Sequence, residues 1–269
     1  MIDLKNWTKN ILSSSIKFSF KSLGIGVTSY KNLVHLKEFK TDRSFEDLEF
    51  IFSMGSQHYE SMLTLLRKSK SQLRQDLFVI AESEYKQKGY FVEFGATNGI
   101  DLSNSFLLAT EFSWSGILAE PATIWEKNLV KNRPESHIET SCVWKDSDST
   151  LEFNETTVAE LSTIDFLSDK DYHKLARTLG KKYEVRTISL MDMLKKYDSP
   201  KYIDYLSVDT EGSEYEILSA FDFDEYSFGV ITVEHNYTQL REKIFTLLTS
   251  KGYKRKFEEI SYFDDWYTK

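Results

Sequence analysis

Four short apolar runs of this 269-residue chain end in polar side chains, and the last two end in groups that could move a proton or hold a cation. Asp209 and Glu211 follow the run at 203–208, and Glu234 and His235 follow the next one. Carboxylates and imidazoles are common general bases, and an imidazole titrates close to neutral pH. The same four side chains form an oxygen-rich ligand set that suits Mg²⁺ or Mn²⁺ better than zinc. These residue types therefore predict base chemistry or, alternatively, metal-assisted chemistry on a group that must lose a proton.

The first of the apolar runs, YFVEFGATNG at 90–99, joins β-forming residues to two glycines. Its aromatic and branched side chains predict a buried strand, which a glycine turn connects to a helix expected to begin near Asp101. A dinucleotide fingerprint needs G-x-G-x-x-G. Thr97 stands where the middle glycine would be. Dinucleotide binding is therefore disfavoured.

Two acidic residues at strand ends favour S-adenosylmethionine (SAM) instead. Glu93 can accept a hydrogen bond from a cationic amine, which the methionyl part of SAM carries and a pyrophosphate lacks. Gly95 lets the backbone approach a ligand closely because it has no Cβ atom. Glu120 ends the second run, at the position where such strand and helix units hold a ribose diol. All four runs thus deliver polar groups to one sheet edge, which is where open α/β sheets bind ligands.

Six segments resemble the FkbM-type SAM-dependent methyltransferases. They are SQLRQD (71–76), FVEFGATNG (91–99), the pair Ser103 and Asn104, GILAEP (116–121), SVDTEGSEYEIL (207–218) and VEHN (233–236). The resemblance covers residues 70–269, and SVDTEGSEYEIL is its most specific part. It implies the class I methyltransferase fold, an α/β Rossmann-like sandwich whose mostly parallel seven-stranded sheet carries helices on both faces. The family's first motif often starts with Asp, and Glu93 stands there in this chain.

The resemblance also implies a reaction and a set of site residues. SAM is the expected cofactor, and the expected acceptor is a hydroxyl of a sugar or of a glycan or glycoconjugate precursor. Asp209 is the first candidate for the residue beside the methyl group, and Glu211 could hold the Gly212 turn or the acceptor. Gln75 enters the site through the resemblance, with an ordinary exposed helix position as the alternative. The residues predicted to bind the cofactor are Gln75, Glu93, Gly95, Ala96, Asn98, Gly99, Glu120 and Asp209.

Other functions stay open on the sequence. One is methylation of a natural-product hydroxyl or of a protein nitrogen. Another is a binding module that keeps the nucleotide pocket without chemistry. The carboxylates at all four strand ends speak against such a module, because a pocket without chemistry needs none of them. His235 has its own alternative, a histidine that only packs.

Residues 1–69 form a second predicted region, a helical extension outside the resemblance. Its first 40 residues carry seven lysines and two acidic residues, a net charge of +5, whereas the whole chain has a net charge of −8. Lysines alternate with apolar residues, so this basic arm could lie on an anionic membrane surface. The alternative is packing on the domain or on a second copy in a homo-oligomer. The pattern is not that of a signal peptide, which favours a cytoplasmic protein.

Composition and net charge argue against several further classes of protein. The chain has no run of about 18 apolar residues, so no transmembrane helix is expected. The single cysteine, Cys142, excludes an intrachain disulfide and is expected to be a buried thiol in a reducing compartment. The negative net charge argues against nonspecific nucleic-acid binding. The expected partner is therefore a small-molecule or glycan acceptor.

The segment at 144–186 is expected, through the resemblance, to help choose the acceptor. Its sequence predicts a loop at 159–164 and a helix at 165–179 that Gly180 ends. Four polar residues of this helix could touch a substrate, although a solvated helix face is the favoured interpretation: Tyr172, His173, Lys174 and Arg177. Ser103, upstream, is expected to cap the start of a helix.

Overall fold

The structure of the protein is a computed structural model that describes residues 44–156, 158–169 and 173–269. The basic arm at 1–40 lies outside these residues, and so does Tyr172. The expectations for both therefore remain predictions from the sequence.

Strands and helices alternate along most of the described chain, as expected of an α/β fold. The strands are β1 (Tyr90–Phe94), β2 (Ser115–Ala119), β3 (His137–Glu139), β4 (Cys142–Trp144), β5 (Thr150–Glu155), β6 (Thr163–Ile164), β7 (Lys181–Ser189), β8 (Tyr202–Val208), β9 (Ser227–Glu234), β10 (Lys254–Lys256) and β11 (Asp264–Thr268). The α-helices are α1 (Ser44–Met54), α2 (Tyr59–Leu65), α3 (Gln75–Glu82), α4 (Phe106–Phe112), α5 (Glu126–Asn132), α6 (Leu190–Lys196), α7 (Glu214–Ser219), α8 (Leu240–Ser250) and α9 (Glu258–Ser261). Short 3-10 helices cover Ser56–His58, Ala159–Leu161 and Asp165–Leu167.

The main sheet has seven strands among the described residues, in the order β10-β11-β9-β8-β1-β2-β3. The four pairs from β9 to β3 are parallel, and β11 runs antiparallel to both of its neighbours. The predicted mostly parallel seven-stranded sheet is therefore confirmed. Because parallel strands end at the same edge, the polar residues after β1, β2, β8 and β9 meet there.

The alternation of side chains along each strand gives the sheet two apolar faces. On β1, Phe91 packs in a cluster with α3 and α4, whereas Val92 and Phe94 pack in a second cluster with α6, α7 and α8. The helices thus cover both faces of the sheet. Because its strands are buried on both sides, their sequences are near-continuous apolar runs. Glu93 alternates with Val92 and Phe94, so its carboxylate enters the face that α3 and α4 cover.

A second sheet, in the order β4-β7-β5-β6, fills the insertion between β3 and β8. Strand β4 pairs parallel with β7, and β5 pairs antiparallel with β7 and with β6. Its apolar side chains form a cluster of their own, to which Cys142 and Phe153 belong. Cys142 is a buried free thiol, as predicted, and burial raises its pKa to about 12.

The helix expected near Asp101 begins at Phe106 instead. The side-chain oxygen of Asn98 accepts hydrogen bonds from the backbone N–H groups of Ile100 and Asp101, both at 2.9 Å. These bonds fold the stretch into a turn. Leu102 follows with φ at +62°, which a right-handed helix excludes. Ser103 Oγ then accepts a hydrogen bond from the backbone N–H of Phe106 at 3.1 Å. Ser103 thus satisfies a backbone donor at the start of α4, although the N-cap residue itself is Ser105.

The predicted loop at 159–164 and helix at 165–179 are wrong for the described residues of this stretch. It consists of two 3-10 helices, the short strand β6 and turns. Arg177 explains the difference, because its side chain is fully buried instead of lying on a solvated helix face. Its guanidinium donates to Leu161 O at 2.7 Å and to Glu211 Oε2 at 2.8 Å. These bonds draw the stretch against the loop after β8.

The chain divides after Leu48, and the second unit, Glu49–Lys269, contains both sheets. Met62 and Leu65 of α2 pack in an apolar cluster of the main sheet. The sequence interpretation placed the boundary later, before residue 70. Among the described residues, no helix combines the length and the apolar character that crossing a bilayer requires.

Candidate active site

A cavity opens at the carboxyl ends of the parallel strands, the edge that the sequence predicted. Gly95, Glu120, Asp209 and Glu234 line it, each at or just beyond the end of β1, β2, β8 or β9. The insertion supplies another wall through apolar and polar residues: Phe153, Ala159, Glu160, Leu161, Ser162, Ile164 and His173. The cavity therefore joins the predicted cofactor loop, the predicted catalytic carboxylates and the predicted acceptor segment.

Gly95 brings the predicted cofactor loop into close contact with the loop after β8. Its φ is +68°, and a Cβ atom built on it would lie 2.3 Å from the backbone oxygen of Asp209. No side chain fits such a gap, so only glycine allows the two loops to meet. Backbone N–H groups of Gly95 and Ala96 both donate to Ala119 O, at 3.0 and 3.3 Å. The loop is thus fixed between the ends of three strands.

Glu93 is buried and already holds the chain that leads into α4. Its carboxylate accepts from the backbone N–H of Asn104 at 2.7 Å, from Ser103 Oγ at 3.0 Å, and from Ser105 through its hydroxyl and, at 3.2 Å, its N–H. Burial raises its pKa, and the charge of Arg133 opposes that rise. Glu93 lines the cavity, so it could also face a cofactor amine, but its clearest role in the structure is to order this segment.

Three other residues predicted to bind the cofactor lie in the same loop without lining the cavity. Asn98 orders the turn described above and donates from Nδ2 to Asp101 Oδ2 at 2.8 Å. Gly99 has φ at +78°, and a Cβ atom there would lie 2.6 Å from Arg133 Cγ. Ala96 is buried. The structure therefore gives these residues the task of shaping the loop that carries Gly95.

Glu120 lies at the end of β2, and its carboxylate accepts hydrogen bonds from two backbone N–H groups. Oε2 accepts from Thr97 N at 2.9 Å and Oε1 accepts from Ala122 N at 2.8 Å. Each carboxylate oxygen keeps a further lone pair, so two hydroxyls can still bind. Burial raises the pKa of Glu120 to about 7, and the two backbone bonds oppose that rise. This arrangement fits the predicted ribose contact.

Asp209, Glu211 and Glu234 form a cluster of carboxylates in the cavity wall. Each offers an oxygen, and these oxygens lie within 4.8 Å of one another. Burial raises the pKa of Glu234 well above its ordinary value, and the charges of Asp209 and Glu211 add to that rise. Desolvation and the nearby charge of Glu214 raise the pKa of Asp209 as well. The structure thus brings three of the four predicted catalytic residues together.

His235, the fourth, does not line this cavity. It follows Glu234 directly, and consecutive residues of an extended chain point to opposite sides. Its Nδ1 accepts from the backbone N–H of Tyr237 at 3.0 Å, and its Nε2 lies 3.8 Å from Asp265 Oδ1. Burial lowers its pKa. The packing interpretation of His235 fits the structure better than a base or a metal ligand.

Gln75 lines the cavity and contacts a carboxylate that sequence reasoning missed. Its Nε2 donates to Asp264 Oδ2 at 2.8 Å, and its Oε1 accepts from Leu73 N at 2.8 Å. Asp264 lies opposite Glu234 in the antiparallel register of β11 and β9. Burial raises the pKa of Asp264 to about 8. In the sequence, the only indication of a role for Asp264 is that acidic residues stand at the start of the last strand.

Glu214 is a second missed residue, and it orders the most specific sequence segment. Its Oε1 accepts from the backbone N–H of Thr210 at 3.0 Å, from Thr210 Oγ1 at 2.9 Å and from Gly212 N at 2.9 Å. The loop it holds contains Glu211, whose φ is +58°. Glu214 therefore sets the position of Asp209 and Glu211 in the cavity wall. No role for Glu214 follows from the sequence, because the D-T-E-G-S-E spacing alone does not show that its side chain folds back onto the loop.

The sheet order and the cavity at its carboxyl edge together define a class I SAM-dependent methyltransferase. A family model described as the methyltransferase FkbM domain matches residues 93–255, more than half of the chain. The chain therefore belongs to the FkbM methyltransferase family, as its motifs predicted. No curated protein matches the sequence significantly.

Three solved structures are similar to this chain. One is a precorrin-6y C5,15-methyltransferase from Geobacter metallireducens GS-15, with 12% identity over 72% of this chain and 87% of that chain and a TM-score of 0.41. Another is the methyltransferase FkbM from Methylobacillus flagellatus KT, with 11% identity over 81% and 61% and a TM-score of 0.43. The third is a TehB-like SAM-dependent methyltransferase from Corynebacterium glutamicum ATCC 13032 Kitasato, with 8% identity over 79% and 97% and a TM-score of 0.36. Family membership rests on the sequence match.

Proposed function

We propose that this methyltransferase transfers the methyl group of SAM to a hydroxyl of a sugar or of a glycan or glycoconjugate precursor. The observation that supports O-methylation most is the carboxylate cluster, which shares one cavity with Gly95 and Glu120. An alcohol is a weak nucleophile while it keeps its proton, so its methylation needs a group that takes the proton. The sugar as acceptor rests on the resemblance of the motifs.

Methyl transfer requires little covalent participation by the protein. The acceptor oxygen, the methyl carbon and the sulfur must lie in line. As the oxygen to carbon bond forms, the carbon to sulfur bond breaks and its electron pair stays on sulfur, which leaves a neutral thioether. The hydroxyl proton passes to a carboxylate, for which Asp209 is the first candidate. Asp209 fits because its backbone contacts the cofactor loop at Gly95 while its side chain belongs to the cluster.

Glu120 gives a prediction for cofactor binding. Its ionised form accepts hydrogen bonds from two ribose hydroxyls, and its pKa is raised to about 7. We therefore expect the affinity for SAM to rise with pH from 6 to 8 and to level off above 8, by up to about tenfold per unit below the pKa. Glu120→Gln should bind SAM weakly at every pH and remove this part of the pH dependence. Isothermal titration calorimetry at pH 6, 7 and 8 measures both proteins. An equal pH dependence in the variant would disprove the ribose contact.

Thermal unfolding of the full chain tests the proposed cofactor. A ligand that binds only the folded protein stabilises it by about 2.7 kcal/mol when its concentration is a hundredfold above Kd. We expect SAM and S-adenosylhomocysteine to raise the midpoint of unfolding and NAD to leave it unchanged. No shift with either SAM compound would favour the non-catalytic binding module.

Methyl transfer from radiolabelled SAM tests the proposed acceptor. The assay compares neutral sugars, glycosides, natural-product alcohols and a protein mixture as acceptors. Label in a base-stable ether on a sugar would support the proposal. Label confined to a natural-product alcohol or to protein nitrogen would replace the sugar by that acceptor and keep the cofactor.

A further inference from the structure

The carboxylate cluster of Asp209, Glu211 and Glu234 lies at a cavity wall, and one of its members is paired with a buried arginine. Glu211 Oε2 accepts from Arg177 Nη2 at 2.8 Å, a pair whose side chains are 8% and 0% exposed. No lysine or arginine is among the described residues that line the cavity. Arg177 itself does not line the cavity, and Asn236 Nδ2 donates to the same Glu211 oxygen at 3.4 Å. Buried carboxylates are stable only when they are paired, protonated or bound to a cation.

Glu234 adds an independent observation that points to a ligand. The residue is only 8% exposed, and it lines the cavity. Its Oε2 atom is buried and has no hydrogen-bond partner among the described residues. Leaving a buried acceptor unsatisfied is unfavourable, so such an atom normally has a partner. The Glu234 side chain also contacts Asp209, a second member of the cluster.

We propose that Asp209, Glu211 and Glu234 bind a divalent, oxygen-preferring cation, Mg²⁺ or Mn²⁺, beside the transferred methyl group. The donors are all carboxylate oxygens, which these hard cations prefer. Metal to oxygen distances of about 2.1 Å place the ligand oxygens of an octahedral ion about 3–4 Å apart. The oxygens of the cluster lie within 4.8 Å of one another, so small side-chain rotations close the site. Three protein ligands leave positions for water and for the acceptor oxygen.

The role of this cation rests on the proposed function. An acceptor hydroxyl bound to it would have a lower pKa, which is the main chemical requirement of O-methylation. The site itself does not depend on that function, because the three carboxylates and the unsatisfied Oε2 atom are present whatever the acceptor is. Metal binding can therefore be measured without cofactor, acceptor or turnover.

Titration of the full chain with Mn²⁺ alone tests the proposal. The protein is first treated with EDTA and exchanged into chelator-free buffer, and free Mn²⁺ is then followed by electron paramagnetic resonance. We expect one Mn²⁺ per chain, competition by Mg²⁺, and at least about tenfold weaker binding by Asp209→Asn and by Glu234→Gln, as found when metal sites lose supporting groups. Both variants keep the side-chain shape, and circular dichroism checks their folding.

Glu160→Gln is the matched control, because Glu160 lines the same cavity and does not belong to the cluster. Its affinity for Mn²⁺ should stay within about twofold of the unchanged protein, since Glu160 is exposed and supplies no ligand atom to the cluster. The absence of Mn²⁺ binding, or equal weakening by all three variants, would overturn the proposal. If SAM still stabilises the protein in that case, the proposed function stands with a carboxylate as the base.

Discussion

Replacing Asp209 by asparagine is expected to lower kcat for methyl transfer by about 10²–10⁴-fold, the usual contribution of a positioned general base. Asparagine keeps the shape of the side chain but accepts no proton from an alcohol at neutral pH. The backbone of Asp209, which contacts the cofactor loop, is unchanged by the substitution. The affinity for SAM should therefore change much less than kcat. Single-turnover transfer of radiolabelled methyl and calorimetric titration with SAM separate the two quantities.

Asp148→Asn is the control for this result. Asp148 is exposed and pairs with Arg186 on the surface of the small sheet. Its replacement should leave both kcat and the affinity for SAM unchanged. If Asp209→Asn retains more than about a tenth of the wild-type kcat, Asp209 is not the base. The same measurement on Glu234→Gln would then decide whether Glu234 takes that role.

Arg133→Met is expected to lower the free energy of unfolding by about 1–3 kcal/mol, the usual cost of leaving a buried acceptor without its donor. Arg133 is 1% exposed and donates to Glu135 Oε1 at 2.7 Å, to Gly99 O at 3.1 Å and to Ser105 Oγ at 3.2 Å. The Ser105 hydroxyl donates in turn to Glu93. Without the guanidinium, the buried Glu93 carboxylate loses the charge that opposes its desolvation. Urea unfolding followed by circular dichroism measures the loss.

Two further variants test the cause of that loss. Arg186→Met removes an arginine whose side chain is 73% exposed, and its surface pair should contribute no more than about 1 kcal/mol. Adding Glu93→Gln to Arg133→Met removes the stranded charge, so the double variant should regain part of the stability. A loss below about 1 kcal/mol for Arg133→Met would show that the guanidinium does not support Glu93.

The parts of the site that lie at strand ends could be predicted from the sequence. Gly95, Glu120 and Asp209 each follow a short apolar run, and the parallel sheet brings such positions to one edge. Local patterns suffice there, because the run defines the strand and the next residues define its end. The same reasoning predicted the seven-stranded sheet, which the structure confirms.

The rest of the site depends on contacts between distant segments, which local patterns do not contain. Asp264 meets Gln75, 189 positions earlier in the chain, because β11 pairs antiparallel with β9. Arg177 is buried against Glu211, although its spacing alone suggests a solvated helix. His235 was grouped with Glu234 because the two are neighbours in sequence, whereas neighbouring side chains point to opposite sides. Strand pairing and side-chain burial cause these differences, and residue type alone does not indicate either of them.

The main sheet ends at two short strands, β3 and β10, of three residues each. A sheet edge exposes unpaired backbone groups that can template the addition of another strand and lead to aggregation. Strand β10 consists of Lys254, Arg255 and Lys256, so the same edge of a second copy would meet like charges. Both edges are short and the β10 edge is also basic, so this chain is protected against edge-to-edge growth. A homo-oligomer, if it forms, is expected to use a helical face and not a sheet continued across two copies.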